Sequence, residues 1–432
     1  SPSEYNEKVH MFAIFLDTAG AGHLLRHLLW YIAFFGSFTS TVFLGMVLVA
    51  AFRYVKKSRK ARRQALAMPC ELLPPVSILK PVHGLELRLE ETLESFFRQD
   101  YPDFEIIFGA RSHDNPALTV VEKLRARYPH VRTRVIISGQ PSWPNAKVFS
   151  LAKMIAASDN DYFVISDSDI LVGPDFLQNV VPPLLEPNVG LVTCLYQGIP
   201  APDFWSRMEA IGMSVEMPAG VMVADMVEGM KFALGAAMTV RRDAIEAIGG
   251  IRETADFYSD DFVLGHLVSE AGYEVVLSHY KVGHVLSACT LPRTFGDQLR
   301  WMKSTRYSRP WGHVGSGLTY AVPFGLLGLL LGLGHQGHHL VEGLVLFGMA
   351  WLNRMLLALI VGWGILRDPR CLWLCWLYPL RDLLGFCTWA GSFTGNKFLW
   401  RGEPYQFGES GRITPVARSL EFERDRVPQA HD

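Results

Sequence analysis

The chain has 432 residues, of which 49% are hydrophobic, 12% aromatic and 19% charged, too apolar for an ordinary soluble enzyme and too polar to lie wholly in lipid. A formal net charge of -1 gives no support for a nucleic-acid partner, which would call for a basic excess or stripe. The six cysteines match neither a disulfide framework nor a zinc ribbon and read as reduced core residues; Cys371, Cys375 and Cys387 share one apolar stretch.

In chain order, 1–27 form an N-terminal segment, in which Ser1 to His10 precede Met11 and read as an added or processed end. Residues 28–52 are almost continuously apolar and uncharged, enough for a helix through a hydrocarbon core of ~30 Å. Arg53, Lys56, Lys57, Arg59, Lys60, Arg62 and Arg63 then open a basic linker, 53–73. Such charge is retained on the cytoplasmic side, so the domain that follows is expected there. A cleaved signal peptide would have a shorter apolar core and its charge on the other flank.

From 74 to 290, short β-rich runs alternate with helical patterns, which predicts an α/β domain on a mainly parallel sheet. Strands are expected at 76–79, 105–108, 134–137, 162–166 and 191–194, and helices at 85–97, 116–128, 147–157 and 175–185. In open sheets of this kind ligands gather beyond the carboxyl ends of strands. There the run Tyr162-Phe163-Val164-Ile165-Ser166 stops at Asp167-Ser168-Asp169. Side chains alternate along an extended chain, so Asp167 and Asp169 leave on one side and suit a hard divalent cation bridging them to a diphosphate. Asp114, in Arg111-Ser112-His113-Asp114-Asn115-Pro116, follows the second strand, and Asp260-Asp261 follow the small-residue stretch 232–237 and precede a helix at 262–271. Each alone reads as a helix cap. Three at one sheet edge read as a site.

Residues 204–227 are rich in Met and aliphatic side chains and fit either an interfacial helix presenting a lipid or a core helix. An interfacial segment, 291–318, carries Trp301 to Trp311 with Lys303, Arg306 and Arg309, read as lipid-headgroup contacts or solvated juxtamembrane charge. Membrane segments are expected within 319–393, as apolar stretches at 319–334, 340–366 and 371–391. The second holds Asn353 and Arg354 and the third Pro379, Arg381 and Asp382, groups that must face protein rather than lipid. Arg367 and Arg370 return the chain to the cytoplasmic side, the third stretch reads as re-entrant, and 394–432 form a cytosolic tail. His335, His338 and His339 read as a polar membrane-edge loop, since only Glu342 accompanies them as a carboxylate.

Val76-Ser77-Ile78-Leu79-Lys80-Pro81, His113-Asp114-Asn115-Pro116, Asp167-Ser168-Asp169, Ser259-Asp260-Asp261-Phe262 and Arg300-Trp301 together resemble the inverting, family-2-like glycosyltransferases of the GT-A fold. Within these, the pattern resembles the ceramide glucosyltransferase branch, which includes bacterial hopanoid glycosyltransferases. The resemblance implies a GT-A nucleotide-sugar-binding domain with N-terminal and C-terminal transmembrane helices, and transfer of a sugar, glucose on this branch, from a UDP-sugar to the hydroxyl of a membrane lipid. It implies that Asp114 holds uracil or ribose, that Asp167 and Asp169 hold ribose and a diphosphate-bound Mg²⁺ or Mn²⁺, and that Asp261 is the general base, with Asp260 beside it on the acceptor side. Arg300 would lie near the diphosphate and Trp301 would stack near the acceptor, with plain packing the alternative for Trp301. Lys147, in Asn145-Ala146-Lys147, is the candidate phosphate contact, with a solvated helix lysine as the other reading.

The family's closing motif has Gln or Arg three residues before the Arg of its Arg-Trp pair; Asp297 stands there, a departure that argues against a processive polysaccharide synthase. Ceramide and a hopanoid polyol both stay open as acceptors, the second with UDP-N-acetylglucosamine as donor. The tail Trp400-Arg401-Gly402-Glu403-Pro404-Tyr405 resembles tails of related lipid glycosyltransferases. Two rivals remain: a nucleotide-binding membrane scaffold or transporter without turnover, and a polyprenyl-phosphate glycosyltransferase, whose anionic acceptor needs no strong base.

Overall fold

A computed structural model describes the backbone of residues 2–334, 339–400 and 402–416, and side chains from residue 22 onward. The apolar N-terminal run forms α1 (Pro2–Leu66). This helix does not end at the first basic residue. It carries the whole cluster from Arg53 to Arg63 as a continuation, because Lys, Arg and Ala are good helix formers and nothing before Pro69 interrupts them.

Strands and helices then alternate: β1 (Val76–Pro81), α2 (Leu89–Phe97), β2 (Phe104–Ala110), α3 (Ala117–Arg127), β3 (Arg132–Ile137), α4 (Ala146–Ala156), β4 (Tyr162–Ser166), β5 (Ile170–Leu171), α5 (Phe176–Val180), β6 (Val189–Ile199), α6 (Phe204–Glu228), β7 (Ala237–Arg241), α7 (Arg242–Ala247), α8 (Asp260–Glu270) and β8 (Glu274–Val285). They build one mixed, mostly parallel sheet in the order β3-β2-β1-β4-β7-β6-β8-β5. β1 to β4 run parallel, β7 is antiparallel to both neighbours, and β6 and β8 are parallel again. The reversed β7 and the long β8 were not expected from the sequence.

Alternation along the strands makes two apolar layers. Leu79, Ile107, Phe163 and Ile165 face one layer, with α4, α6 and the end of α1; Ile78, Ile106, Phe108 and Val164 face the other, with α2 and α3. Covering both faces explains why the middles of β1, β2 and β4 read as apolar runs. The membrane helix is part of this core. Val47, Ala50, Ala51 and Tyr54 are buried against it, and the Tyr54 hydroxyl donates to the Ser278 carbonyl at 2.9 Å.

After the sheet come α9 (Leu291–Ser308), α10 (Pro310–Ser316), α11 (Val322–Leu333), α12 (Leu340–Leu357), α13 (Arg370–Leu374) and α14 (Tyr378–Gly391). Among the described residues, Gly22–Leu66, Phe204–Glu228 and Leu340–Ile365 are long and apolar enough to cross a membrane, and Pro310–Thr319 with Val322–Leu333 form a further pair bent by 49°. α6, although long enough, is mostly buried from Ser206 to Met222, against α1 and β6, so the core-helix reading describes it. α14 has 14 residues, or about 21 Å of helix, short of a ~30 Å core.

The tail forms a three-stranded antiparallel sheet of β9 (Lys397–Trp400), β10 (Glu403–Phe407) and β11 (Ile413–Pro415). Phe257 of the α/β domain bridges to Arg412, which sets tail and domain on the same side of the membrane helices. Two expectations change. Lys303 donates to the Lys397 carbonyl, Arg306 to the Ser392 carbonyl and Arg309 to Glu228, so this basic run fastens the tail and neighbouring helices rather than facing headgroups. The cysteines are all free, but Cys70 and Cys387 are exposed rather than core. His335 and His338 lie outside the described residues, and His339 Nδ1 sits 3.4 Å from Glu342.

Candidate active site

Two helix starts meet beyond the sheet edge. Asn145 caps α4, its side-chain oxygen accepting from the Lys147 and Val148 amides, which satisfies two donors that every helix start leaves unpaired. Its amide nitrogen donates to Asp260 Oδ1 at 3.2 Å. Capping of one helix is thereby locked to the first turn of the next. Lys147 Nζ reaches Asp167 Oδ1 at 2.6 Å and lies 3.9 Å from Asp260 Oδ2. Burial pulls the Lys147 pKa down, but Asp167 and Asp260 outweigh it and hold the amine above its ordinary value. The solvated-helix reading of Lys147 does not describe this buried amine.

Asp261, in the first turn of α8, is pushed up to about 6, first by burial and then by the charge of Asp260, against the pull of Lys147. Burial raises Asp260 as well. The small-residue stretch before β7 makes room for this carboxylate: a Cβ on Gly235 would come within 2.8 Å of Asp261 Oδ2.

Asp169 is half-buried. Its Oδ2 is 3.1 Å from His284 Nε2, while its Oδ1 is buried without a partner. Burial raises its pKa, yet His284 and Lys80 outweigh that and set it below the ordinary range. His284 and Lys80 were missed in the sequence. His284 reaches the site because β5 pairs with β8, with Ile170 opposite His284, a long-range register that no local pattern announces. Lys80 did leave a signal, a lysine within the otherwise apolar β1. Its fully buried amine donates to the Asp167 carbonyl and to Ser166 Oγ, lies 3.8 Å from the centre of the Phe96 ring, and is driven down to about 7, chiefly by burial.

Beside the carboxylates lies a cavity of about 140 Å³ at the ends of β1, β2 and β3, walled by Val82, His83, Arg111, Ser138 and Lys147 and by residues of the tail. Asp114 is exposed on the loop after β2 and lines no part of this cavity. Ser112 donates to it and lowers its pKa. Arg300 Nη2 is paired with Asp297 at 2.8 Å, and its guanidinium carbon is 5.8 Å from the Tyr258 ring centre. Trp301 packs with Tyr196 beside Ala210, Met213 and Leu286.

The sequence profile of glycosyl transferase family 21 matches residues 41–413. The chain belongs to that family. Ceramide glucosyltransferase 1 of Caenorhabditis elegans is 23% identical over 366 residues, 84% of this chain and 77% of that protein, and a ceramide glucosyltransferase of Komagataella phaffii is 37% identical over 132 residues, 29% of this chain and 26% of that protein. Among solved structures, the mannosyltransferase PcManGT of Pyrobaculum calidifontis, in complex with GDP-Man and Mn²⁺, aligns over 83% of this chain and 99% of its own, with 18% identity and a TM-score of 0.44.

This family 21 protein is thus a membrane glycosyltransferase that uses a nucleotide sugar. Its site brings Asp167, Lys147, Asp260 and Asp261 together, with Asp169 and His284 adjacent and Asp114 apart. A divalent ion fits the chemistry of Asp167 and Asp169, which offer hard oxygen donors including the orphaned Asp169 Oδ1. Among the described residues no group of three or more His, Cys, Asp or Glu forms a ready-made metal cage.

Proposed function

We propose that this transferase moves glucose from UDP-glucose to the primary hydroxyl of ceramide, with inversion, on the cytoplasmic face of its membrane. The observation that carries the reading is the half-buried Asp261 carboxylate, with its pKa raised to about 6, next in the chain to Asp260, whose own carboxylate lies 3.9 Å from the Lys147 amine that pairs with Asp167. Ceramide and glucose rest on the names of the relatives above; the cytoplasmic face rests on the basic end of α1.

In this reading the donor nucleoside enters the cavity at the ends of β1 to β3, with Arg111 and His83 in the position first expected for Asp114. Lys147 and Arg300 neutralise the diphosphate. Asp167 and Asp169 hold Mg²⁺ or Mn²⁺, which when bound stabilises charge on the departing diphosphate. The acceptor hydroxyl donates its hydrogen bond to Asp261. Its oxygen bonds to the anomeric carbon as the bond from that carbon to the diphosphate oxygen breaks, and the proton passes to Asp261. Tyr196, Trp301, Met213 and Leu286 form an apolar wall for the lipid, with Asp260 orienting its polar end beside the base.

Purified protein in lipid nanodiscs, given radiolabelled UDP-glucose or UDP-N-acetylglucosamine with ceramide or a hopanoid, tests this directly. Label is expected in glucosylceramide, absent after chelation and restored by Mn²⁺ or Mg²⁺. UDP binding with no transfer to any lipid would sink the reading, and label in a hopanoid would move the acceptor.

A further inference from the structure

The tail sheet makes contacts that a mere terminus would not need. The Ile413 amide donates to the Asp256 carbonyl at 2.8 Å, and Phe398, Trp400 and Phe407 surround the Tyr258 ring with centroids 5.3, 5.1 and 5.7 Å away. Tyr258 stands three residues before Asp261. On its other flank Phe407 stacks on Tyr307 of α9 at 5.2 Å, the helix that carries Arg300 and Trp301. Tyr405 reaches the far side, its hydroxyl 3.5 Å from the Pro144 carbonyl, next to the Asn145 cap. The tail thus touches the base-bearing loop, the Arg-Trp helix and the start of α4.

Between these anchor points Trp400, Glu403 and Tyr405 form the remaining wall of the cavity whose other walls are the ends of β1, β2 and β3. Trp400 and Tyr405 lie edge to face, 5.6 Å apart, and both are half-buried. Aromatic faces lining a polar cavity beside cationic groups suit a flat heterocycle followed by phosphate.

We propose that the C-terminal sheet is a working wall of the donor site: Trp400 and Tyr405 supply the aromatic contact for the nucleobase, and the bound nucleotide in turn holds the tail against the α/β domain. The inference rests on the donor cavity assigned above. It assigns a binding role to a segment separated in sequence from the rest of the site by all the membrane helices that follow the sheet. Tail docking and donor binding are then two sides of one equilibrium, since a ligand that contacts only the docked tail stabilises docking by the same factor by which docking tightens the ligand.

The test uses the full chain in phosphatidylcholine nanodiscs. UDP is titrated calorimetrically into wild type, Tyr405→Leu and Trp400→Leu, and donor and acceptor KM are measured for each. Loss of one stacking face is expected to raise the UDP Kd and the donor KM by roughly tenfold, with the acceptor KM unchanged. Limited proteolysis within 396–416 is expected to slow when UDP is added to wild type. Should Trp400→Leu fail to fold, Tyr405→Leu and the wild-type proteolysis still decide. Unchanged Kd together with unprotected tail cleavage overturns the inference while leaving the transferase reading intact. UDP binding that depends on the tail but supports no sugar transfer does the reverse, and wild type that binds no UDP overturns both.

Discussion

Two clusters of buried charge lie in this molecule, and they are built differently. Where α6 meets the C-terminal helices, Glu216 of α6 pairs with Arg381 of α14 at 3.2 Å, and Arg354 of α12 pairs with Asp382 at 3.1 Å. Asp382 Oδ2 also accepts from the Ala321 and Val322 amides. Each carboxylate there has its own guanidinium, and the pairs tie three helices together. At the sheet edge, Asp167, Asp260 and Asp261 share Lys147, while Asp169 sits with His284 and the strongly depressed Lys80. Charge is balanced in the first cluster and in excess in the second. Buried excess charge is unfavourable unless a ligand completes it, a role that the proposed donor and acceptor would fill at the sheet edge and that the paired cluster does not require.

The sharpest way to break that distinction is to neutralise one acid in each. Asp261→Asn is expected to lower kcat by roughly 10²–10⁴-fold, the range for losing a general base, with thermal stability unchanged or raised because a repulsive neighbour of Asp260 is gone. Glu216→Gln is expected to behave in the opposite manner. It leaves Arg381, 1% exposed, without its carboxylate, at a cost of about 3–5 kcal/mol, read as a lower melting temperature in nanodiscs with kcat per folded molecule retained. Restoration of most of that loss in Glu216→Leu/Arg381→Met would show that the pair holds by mutual compensation. A Glu216→Gln protein that stays stable but inactive would place that cluster in the chemistry after all.

The two clusters were unequally legible. Strands β1 to β4 could be read because each is an apolar run ending at a turn, and the carboxylates at their ends follow from strand direction alone. Asp167 and Asp169 could therefore be placed at the sheet edge without knowing the topology, whereas Asp260 and Asp261 stood out only as an acidic pair before a helix. Arg354, Arg381 and Asp382 could be singled out as groups that must face protein, but not paired, because their partners come from helices far apart in sequence. His284 was invisible for the same reason, its place depending on the β5–β8 register. Asp114 is a case apart: it sits in the loop after β2 that the sequence pointed to, and its carboxylate is exposed there, a degree of burial that sequence spacing does not reveal. The tail motif could be matched by likeness, but its packing on Tyr258 is a tertiary contact.

A finer probe separates the two adjacent acids. Asp261 with a pKa of about 6 is a base only when ionised, so kcat should be full above that value and fall tenfold per pH unit well below it. Asp260 is the second cause of the elevation. Asp260→Asn removes that charge, ionisation of Asp261 becomes easier, and the acid limb of the kcat profile should move to lower pH. A limb that stays in place, or one that survives in Asp261→Asn, would assign the titration to another group.

The smallest expected effect concerns Asp297, which stands where the family pattern has Gln or Arg. It holds Arg300 in an ion pair of 2.8 Å whose side chains are 19% and 38% exposed for Arg300 and Asp297. In that position a carboxylate lends geometry to the guanidinium but cancels part of the charge it offers a diphosphate. Asp297→Gln keeps a hydrogen-bond acceptor and removes the cancellation, so donor KM should fall. Partly exposed pairs contribute about 0–1 kcal/mol, which limits the change to roughly fivefold, and added salt should shrink it because the extra attraction is screened. A rise in donor KM would mean that orientation of Arg300 matters more than its net charge, and would bring this cation closer in kind to the balanced cluster between α6, α12 and α14 than to the unbalanced one at the sheet edge.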